Sequence, residues 1–440
     1  MRSNTRRFAL VAAVLLIFAT GTAFAGGEQE AEVETTESGA VVIEFWHSWA
    51  PDGVQGSVLQ ALLNEYNDAQ EETYVIPIFM GERRNEKIAA ALAAGDAPDI
   101  AWISGAGEAY YEAGQLMSMD RVWDGYIDRD DVLESMRLGQ QYLGTDITLP
   151  FENSNLALLY DRQKLEEAGI SEPGTGLDNG WTWDEFIAAA AQFSSPEEGT
   201  YGWEPRVNSA VLNSIFWQLG GEFLSEDMRT NLIVSDPAMQ DRMVEALEVI
   251  DRMLWQDRIT SNDVGDQGFG NFDMAFEITG PWDIARNLEP FGGNYSTDRL
   301  GVAPIPKVEG AEVVTRWYQK ALALFATNER KEQATLDFIS WFYSPEVHAR
   351  WSAEAGYLPV TRSAAEEPVW QETVEQYPHF QVFVDQADVM RLSPRGIPLG
   401  DRGAMLDAVR FQELSPEAAV ALYIEDAQLV LDEFWARQDS

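Results

Sequence analysis

The chain has 440 residues, 73 of them acidic against 30 basic, a formal charge of −43 and no cysteine. The missing thiols exclude a disulfide scaffold, thiolate metal sites, a cysteine nucleophile and a lipid-bearing cysteine anchor, and the negative field excludes general binding to nucleic acid or anionic membrane, for which no basic patch exists. With 45% apolar residues and a length beyond what one core usually fills, two globular lobes are expected.

Arg2, Arg6 and Arg7 precede an apolar run over residues 8–19 and the small-residue pattern Ala23-Phe24-Ala25. Residues 1–25 therefore read as a cleaved secretory signal, the run being shorter than the roughly 20 residues that span a bilayer. The Arg6-Arg7 pair leaves both the general and the twin-arginine export routes open. Residues 26–40 carry five glutamates and no basic residue, which predicts an acidic, disordered tether.

From residue 41 the pattern turns to strand-length apolar runs at 41–46 (VVIEFW), 74–80 (YVIPIFM) and 99–104 (DIAWIS), separated by helix-period segments at 54–67 and 82–94. Strand, helix, strand, helix, strand predicts a parallel sheet with right-handed crossovers, whose strand ends form the rim where ligands bind. Further strands are expected at 147–150 and 156–160, flanking the polar Glu152-Asn153-Ser154-Asn155. Thr182-Trp183-Asp184-Glu185 has the form of a capping box, with helices following at 210–219 and 237–255. Residues 273–278, 300–304 and 321–325 read as strands, Gly280-Pro281-Trp282 as a strand-to-helix turn, and the chain beyond 328 as mostly helical.

Catalytic and metal signatures are sparse. The three histidines are scattered, and no HExxH, EF-hand, GxSxG or phosphate-cradling glycine loop occurs. No cofactor is expected; a structural Ca²⁺ and a carboxylate pair for glycoside hydrolysis stay open only because acids are abundant. The 15 tryptophans are more informative. Trp46, Trp203, Trp217, Trp282 and Trp317 stand at expected turns or strand ends, and an indole offers a flat apolar face with an N–H at its edge, which suits a pyranose ring and its hydroxyl rim.

The chain resembles the large family of extracellular solute-binding proteins of sugar ABC transporters. The likeness rests on Ile43-Glu44-Phe45-Trp46-His47-Ser48-Trp49, the stretch from Ile88 through Gly95-Asp96-Ala97-Pro98-Asp99-Ile100, Thr182-Trp183-Asp184-Glu185-Phe186, Asp273-Met274-Ala275-Phe276 to Gly280-Pro281-Trp282, and Gly356-Tyr357-Leu358-Pro359-Val360, in that order. It implies an α/β fold of two lobes, each a mainly parallel sheet flanked by helices, joined by a hinge, with 41–149 plus 279–327 in the first lobe and 150–278 plus 328–440 in the second. It would place Trp46, His47, Ser48, Arg83 and Ser104 on the first-lobe rim, Glu152 near a hinge crossing, Trp203 and Trp217 on the second lobe, and Gly280, Trp282 and Tyr357 on returning segments. Arg316-Trp317 stands where many members carry Gly-Gly, which would narrow the cleft. Ser393-Pro394-Arg395-Gly396 resembles a segment of glycerol-3-phosphate-binding members, which would give Arg395 to a phosphate.

The function expected is a non-enzymatic, monomeric periplasmic receptor that takes a neutral mono- or oligosaccharide between closing lobes and passes it to membrane permease subunits. The alternatives are a receptor for glycerol-3-phosphate or a related organic phosphate, and a secreted glycosidase. Only five lysines, Lys87, Lys164, Lys307, Lys320 and Lys331, occur in this acid-rich chain, a balance suited to a salt-rich habitat.

Overall fold

The structure is a computed structural model that describes residues 34–439 except Glu82, Ala106, Pro205, Arg206, residues 264–267 and Arg395; nothing is described of the Gln319 side chain. The expected signal and most of the tether lie outside the described residues. The end of the tether is ordered, because Thr36 and Glu34 hydrogen-bond back to Ala40 and Val42 at the start of the opening strand.

The first lobe is built on a five-stranded sheet in the order Thr73–Phe79, Val41–His47, Ile100–Ile103, Tyr318–Leu324, Leu149–Ser154. The first three strands are parallel, connected by the helices Val54–Ala69 and Arg84–Ala94. Leu59, Leu62, Leu63 and Tyr66 recur at helical spacing and bury the first helix against Val41, Ile43 and Phe45. Strand Tyr318–Leu324 runs antiparallel to both its neighbours, with a bulge between Lys320 and Ala321. The polar Glu152-Asn153-Ser154, expected between two strands, is itself the end of a buried strand, its backbone paired with Tyr318–Lys320.

The second lobe carries a three-stranded sheet with Ala157–Asp161 between Phe276–Thr279 and Leu300–Pro304. Both ladders are antiparallel, where a parallel sheet was expected, because no short helical crossover links these strands. Its main core gathers Phe186, Trp203, Ile215, Phe216, Leu247 and Phe276.

The lobe boundaries differ from the expected ones. Residues 300–304 ladder with 157–161 and so belong to the second lobe, whereas helix Glu329–Phe342 packs Phe338, Ile339 and Phe342 into the first-lobe core. Helix Pro345–Ala355 lies between the two, with Trp351 and Ala355 in the first core and Ala349 and Ala353 in a core under the second sheet. The helix expected at 237–255 runs from Pro237 to Asp251 and ends in a π-helical turn, Arg252–Gln256.

The capping box forms as the sequence predicts. Thr182 Oγ1 accepts from Glu185 N at 3.2 Å and Glu185 Oε2 accepts from Thr182 N at 2.8 Å, at the start of helix Trp183–Ala191. Thr182→Ala should lower stability by about 1 kcal/mol, read as a shifted urea midpoint with unchanged slope.

Candidate functional site

The rim of the first sheet is formed where the parallel strands end, at His47, Met80 and Ser104, and where the antiparallel strand begins, at Tyr318. Its centre is Trp102, a residue the sequence did not single out. Trp102 Nε1 donates to Glu152 Oε1 at 2.7 Å, Arg84 Cζ lies 4.6 Å from the ring centroid and Lys320 Nζ 5.3 Å from it. Lys320 also donates to Ser104 Oγ at 2.6 Å and sits 5.7 Å from the Tyr318 ring. The bulge after Lys320 changes the ladder register at this point.

Glu152 is buried beside these cations. Burial pushes its carboxyl up, to about 8, while Lys320, the Trp102 indole, the Tyr357 hydroxyl and Arg84 pull it down. Tyr357 OH accepts from Trp49 Nε1 at 3.0 Å and its ring stacks on Trp351 at 24°. His47 stacks on Trp49 at 22° with centroids 5.4 Å apart, and desolvation lowers its imidazole to about 4. Ser48 Oγ donates to Gly81 O at 3.0 Å, which ties the ends of two parallel strands.

Trp282 overlies Gly280 so closely that a Cβ there would meet the indole at 2.1 Å, and its ring meets Tyr318 edge-on at 5.8 Å. Gly280 is thus a steric requirement of the Trp282 position. Trp317 is 6% exposed, and its Nε1 finds no acceptor among the described residues.

Several expected site residues stand elsewhere. Arg83 is a helix N-cap residue with its side chain in solvent, 3.8 Å from Glu86; the next residue, Arg84, is the one that turns onto Trp102. Trp203 is fully buried in the second-lobe core, edge-on to Phe186 at 5.6 Å, because Gly202 lets the backbone press against Ala190. Trp46 packs on the sheet face of Ile88 and Ile103 and donates to Glu44 Oε2 at 2.7 Å. Trp217, by contrast, lies in helix Ser209–Gln218, 5.5 Å from Arg391 Cζ, and lines a cavity between the lobes. Arg395 lies outside the described residues.

Two cavities lie between the lobes. One, of about 320 Å³, is lined by Ser104, Gly105 and Glu108 from the first lobe and by Arg316, Trp317, Leu392, Ser393, Pro394, Gly396 and Arg402. The other, of about 330 Å³, shares Leu392 and Pro394 and runs between Gln141–Gly144 and Trp217, Phe223 and Arg391. They are the size of small-ligand sites.

The connection between the lobes is a buried polar network that the sequence did not reveal. Gln386 Nε2 donates to Asn155 Oδ1 at 2.7 Å and to Leu156 O at 3.0 Å, and its Oε1 accepts from Ile305 N at 3.0 Å. Thr315 Oγ1 donates to Leu156 O at 3.0 Å and accepts from Leu156 N at 3.1 Å. Asn155 and Thr315 stand where the chain passes from one sheet to the other and back.

Among the described residues no group of three or more acids or histidines could hold a metal ion, and no helix is long and apolar enough to cross a membrane. Bacterial extracellular solute-binding proteins, as a family, match residues 61–381, more than half the chain. The chain belongs to this family. This solute-binding protein is 22% identical over 423 residues to the sn-glycerol-3-phosphate-binding periplasmic protein UgpB of Yersinia pestis, covering 89% of this chain and 92% of the relative. Its fold is similar to UgpB from Mycobacterium tuberculosis in complex with glycerophosphocholine, at TM-score 0.75 and 20% identity over 90% of this chain and 100% of that one. Maltose-bound MalE3 of T. maritima matches at TM-score 0.72 and 18% identity, over 89% and 100% of the two chains. The two-lobe α/β architecture is that of these binding proteins.

Proposed function

We propose that this solute-binding protein is an exported, periplasmic receptor that closes on one sugar or related polyol and delivers it to the permease of an ABC transporter. The observation that carries the reading is the 320 Å³ cavity, which takes walls from both lobes beside a network where the chain crosses between them. A solute touching both walls favours the closed state in proportion to its differential affinity for the two arrangements. Trp317 supplies an indole face and a spare N–H, and Ser104 and Ser393 supply hydroxyls, the combination that grips a ring with an apolar face and a polar rim.

The relatives support this class of ligand: the names of those compared carry glycerol-3-phosphate, glycerophosphocholine and maltose. Binding without turnover is the expected behaviour. On titration with a panel of saccharides, polyols and their phosphates, one compound should saturate a change in tryptophan fluorescence and raise the melting temperature, with no reducing ends appearing on incubation. A flat response across the panel would contradict the receptor reading, and release of reducing ends would favour the glycosidase.

A further inference from the structure

Arg316 and Arg402 line the interlobe cavity, and among the described residues their contacts are with a hydroxyl and with aromatic rings and not with a carboxylate. Other arginines of this acid-rich chain, among them Arg121, Arg229, Arg252, Arg299, Arg350 and Arg391, pair with a carboxylate, whereas these two line this cavity. Arg316 Nη1 donates to Ser209 Oγ at 3.2 Å, its buried Nε has no acceptor among the described residues, and its guanidinium lies 5.1 Å from the Tyr318 ring. Arg402 rests 4.4 Å from the Phe223 ring. The two cations also act on each other: burial lowers the Arg402 guanidinium, and Arg316 lowers it further. Glu108, the acidic side chain in the described lining, comes from the other lobe and is already engaged.

Cations withheld from carboxylates and partly desolvated destabilise the empty protein, and a bound anion relieves that cost. Trp317 lines the same cavity, and its buried Nε1 also has no acceptor among the described residues. Resting on the receptor reading above, we infer that Arg316, Arg402 and Trp317 form an anion subsite, and that the solute carries a phosphate or carboxylate group at this end. The sequence led instead to the expectation of a neutral sugar.

The test is calorimetric titration of the chain without its signal segment, using matched compounds: glucose, glucose 6-phosphate and glucuronate; glycerol and glycerol 3-phosphate; and inorganic phosphate alone. An anionic member should bind at least about 100-fold more tightly than its neutral partner. Its affinity should fall as KCl rises, and glucose 6-phosphate against glucuronate separates phosphate from carboxylate. Arg316→Met with Arg402→Met should lose at least about tenfold in affinity for the anion while the empty protein melts no lower than before, the opposite of what a merely structural pair would do. Single Arg316→Gln and Arg402→Gln variants serve if the double variant does not fold. A neutral sugar bound as tightly as its anionic counterpart, or undiminished anion affinity in the variants, would overturn the subsite and leave the receptor standing. Binding of no compound of either kind would overturn the receptor reading and the subsite with it.

Discussion

Gln386→Ala is expected to cost about 3 kcal/mol of stability, a large effect for one neutral side chain. Gln386 is fully buried and uses both ends of its amide between the lobes. Truncation leaves Ile305 N without its acceptor and Asn155 Oδ1 without its donor, and each buried orphan costs about 1–3 kcal/mol. Leu156 O is less affected, because Thr315 still donates to it. The matched control is Gln381→Ala, an exposed residue paired with Asp385, which should change stability by no more than about 0.5 kcal/mol. Both are read from urea midpoints. A loss below about 1 kcal/mol for Gln386→Ala would mean that the network does not hold the crossing segments.

A second large effect is expected on acidification. Burial lowers His47 to about 4 and His348 to about 3, from an ordinary value of 6.5. A group depressed in the folded state contributes stability that is present above pH 6.5 and lost as pH falls through its folded value. Between pH 7 and pH 4.5 each histidine should therefore withdraw about 2.5 kcal/mol. Glu152 runs the other way. Its carboxyl is raised toward 8, so its contribution is full below the ordinary carboxyl range near 4.5 and is lost as pH rises toward 8. His47→Phe, which keeps an aromatic ring against Trp49, should remove about 2.5 kcal/mol of the loss on the acid side. An acid limb unchanged by that substitution would show that His47 is not held neutral by its burial.

Much of the first lobe was legible because its signals are local. The apolar runs at 41–46 and 74–80 and the helical spacing of Leu59, Leu62, Leu63 and Tyr66 each act within a few residues, as does the Thr182–Glu185 box in the second lobe. The rim was legible only in part, because it depends on strand order. Strand Tyr318–Leu324 enters between Ile100–Ile103 and Leu149–Ser154, which brings Lys320 to Trp102 and Glu152 across 150 or more residues of chain. No local pattern carries that insertion. Arg83 and Arg84 show the finer difficulty: neighbouring helical positions point about 100° apart, so a one-residue choice decides which arginine meets the indole.

Trp203 failed for a different reason. Its neighbour Gly202 resembles a turn glycine in sequence, but its role is close packing: a Cβ at Gly202 would meet Ala190 O at 2.2 Å. The tryptophan count was therefore a weaker guide to the cleft than the placement of cations. Arg316 and Arg402 draw their significance from lining the interlobe cavity in a chain whose overall charge is −43.

The most direct measurement is native mass spectrometry of the purified protein, with small-angle scattering before and after the released ligand is added back. A solute receptor should carry or take up one small molecule per chain, return it chemically unchanged, and contract on binding as the lobes close. One-to-one binding with a smaller radius of gyration is the predicted result. A chain that binds nothing, or that binds with no change in radius and converts its ligand, would contradict it.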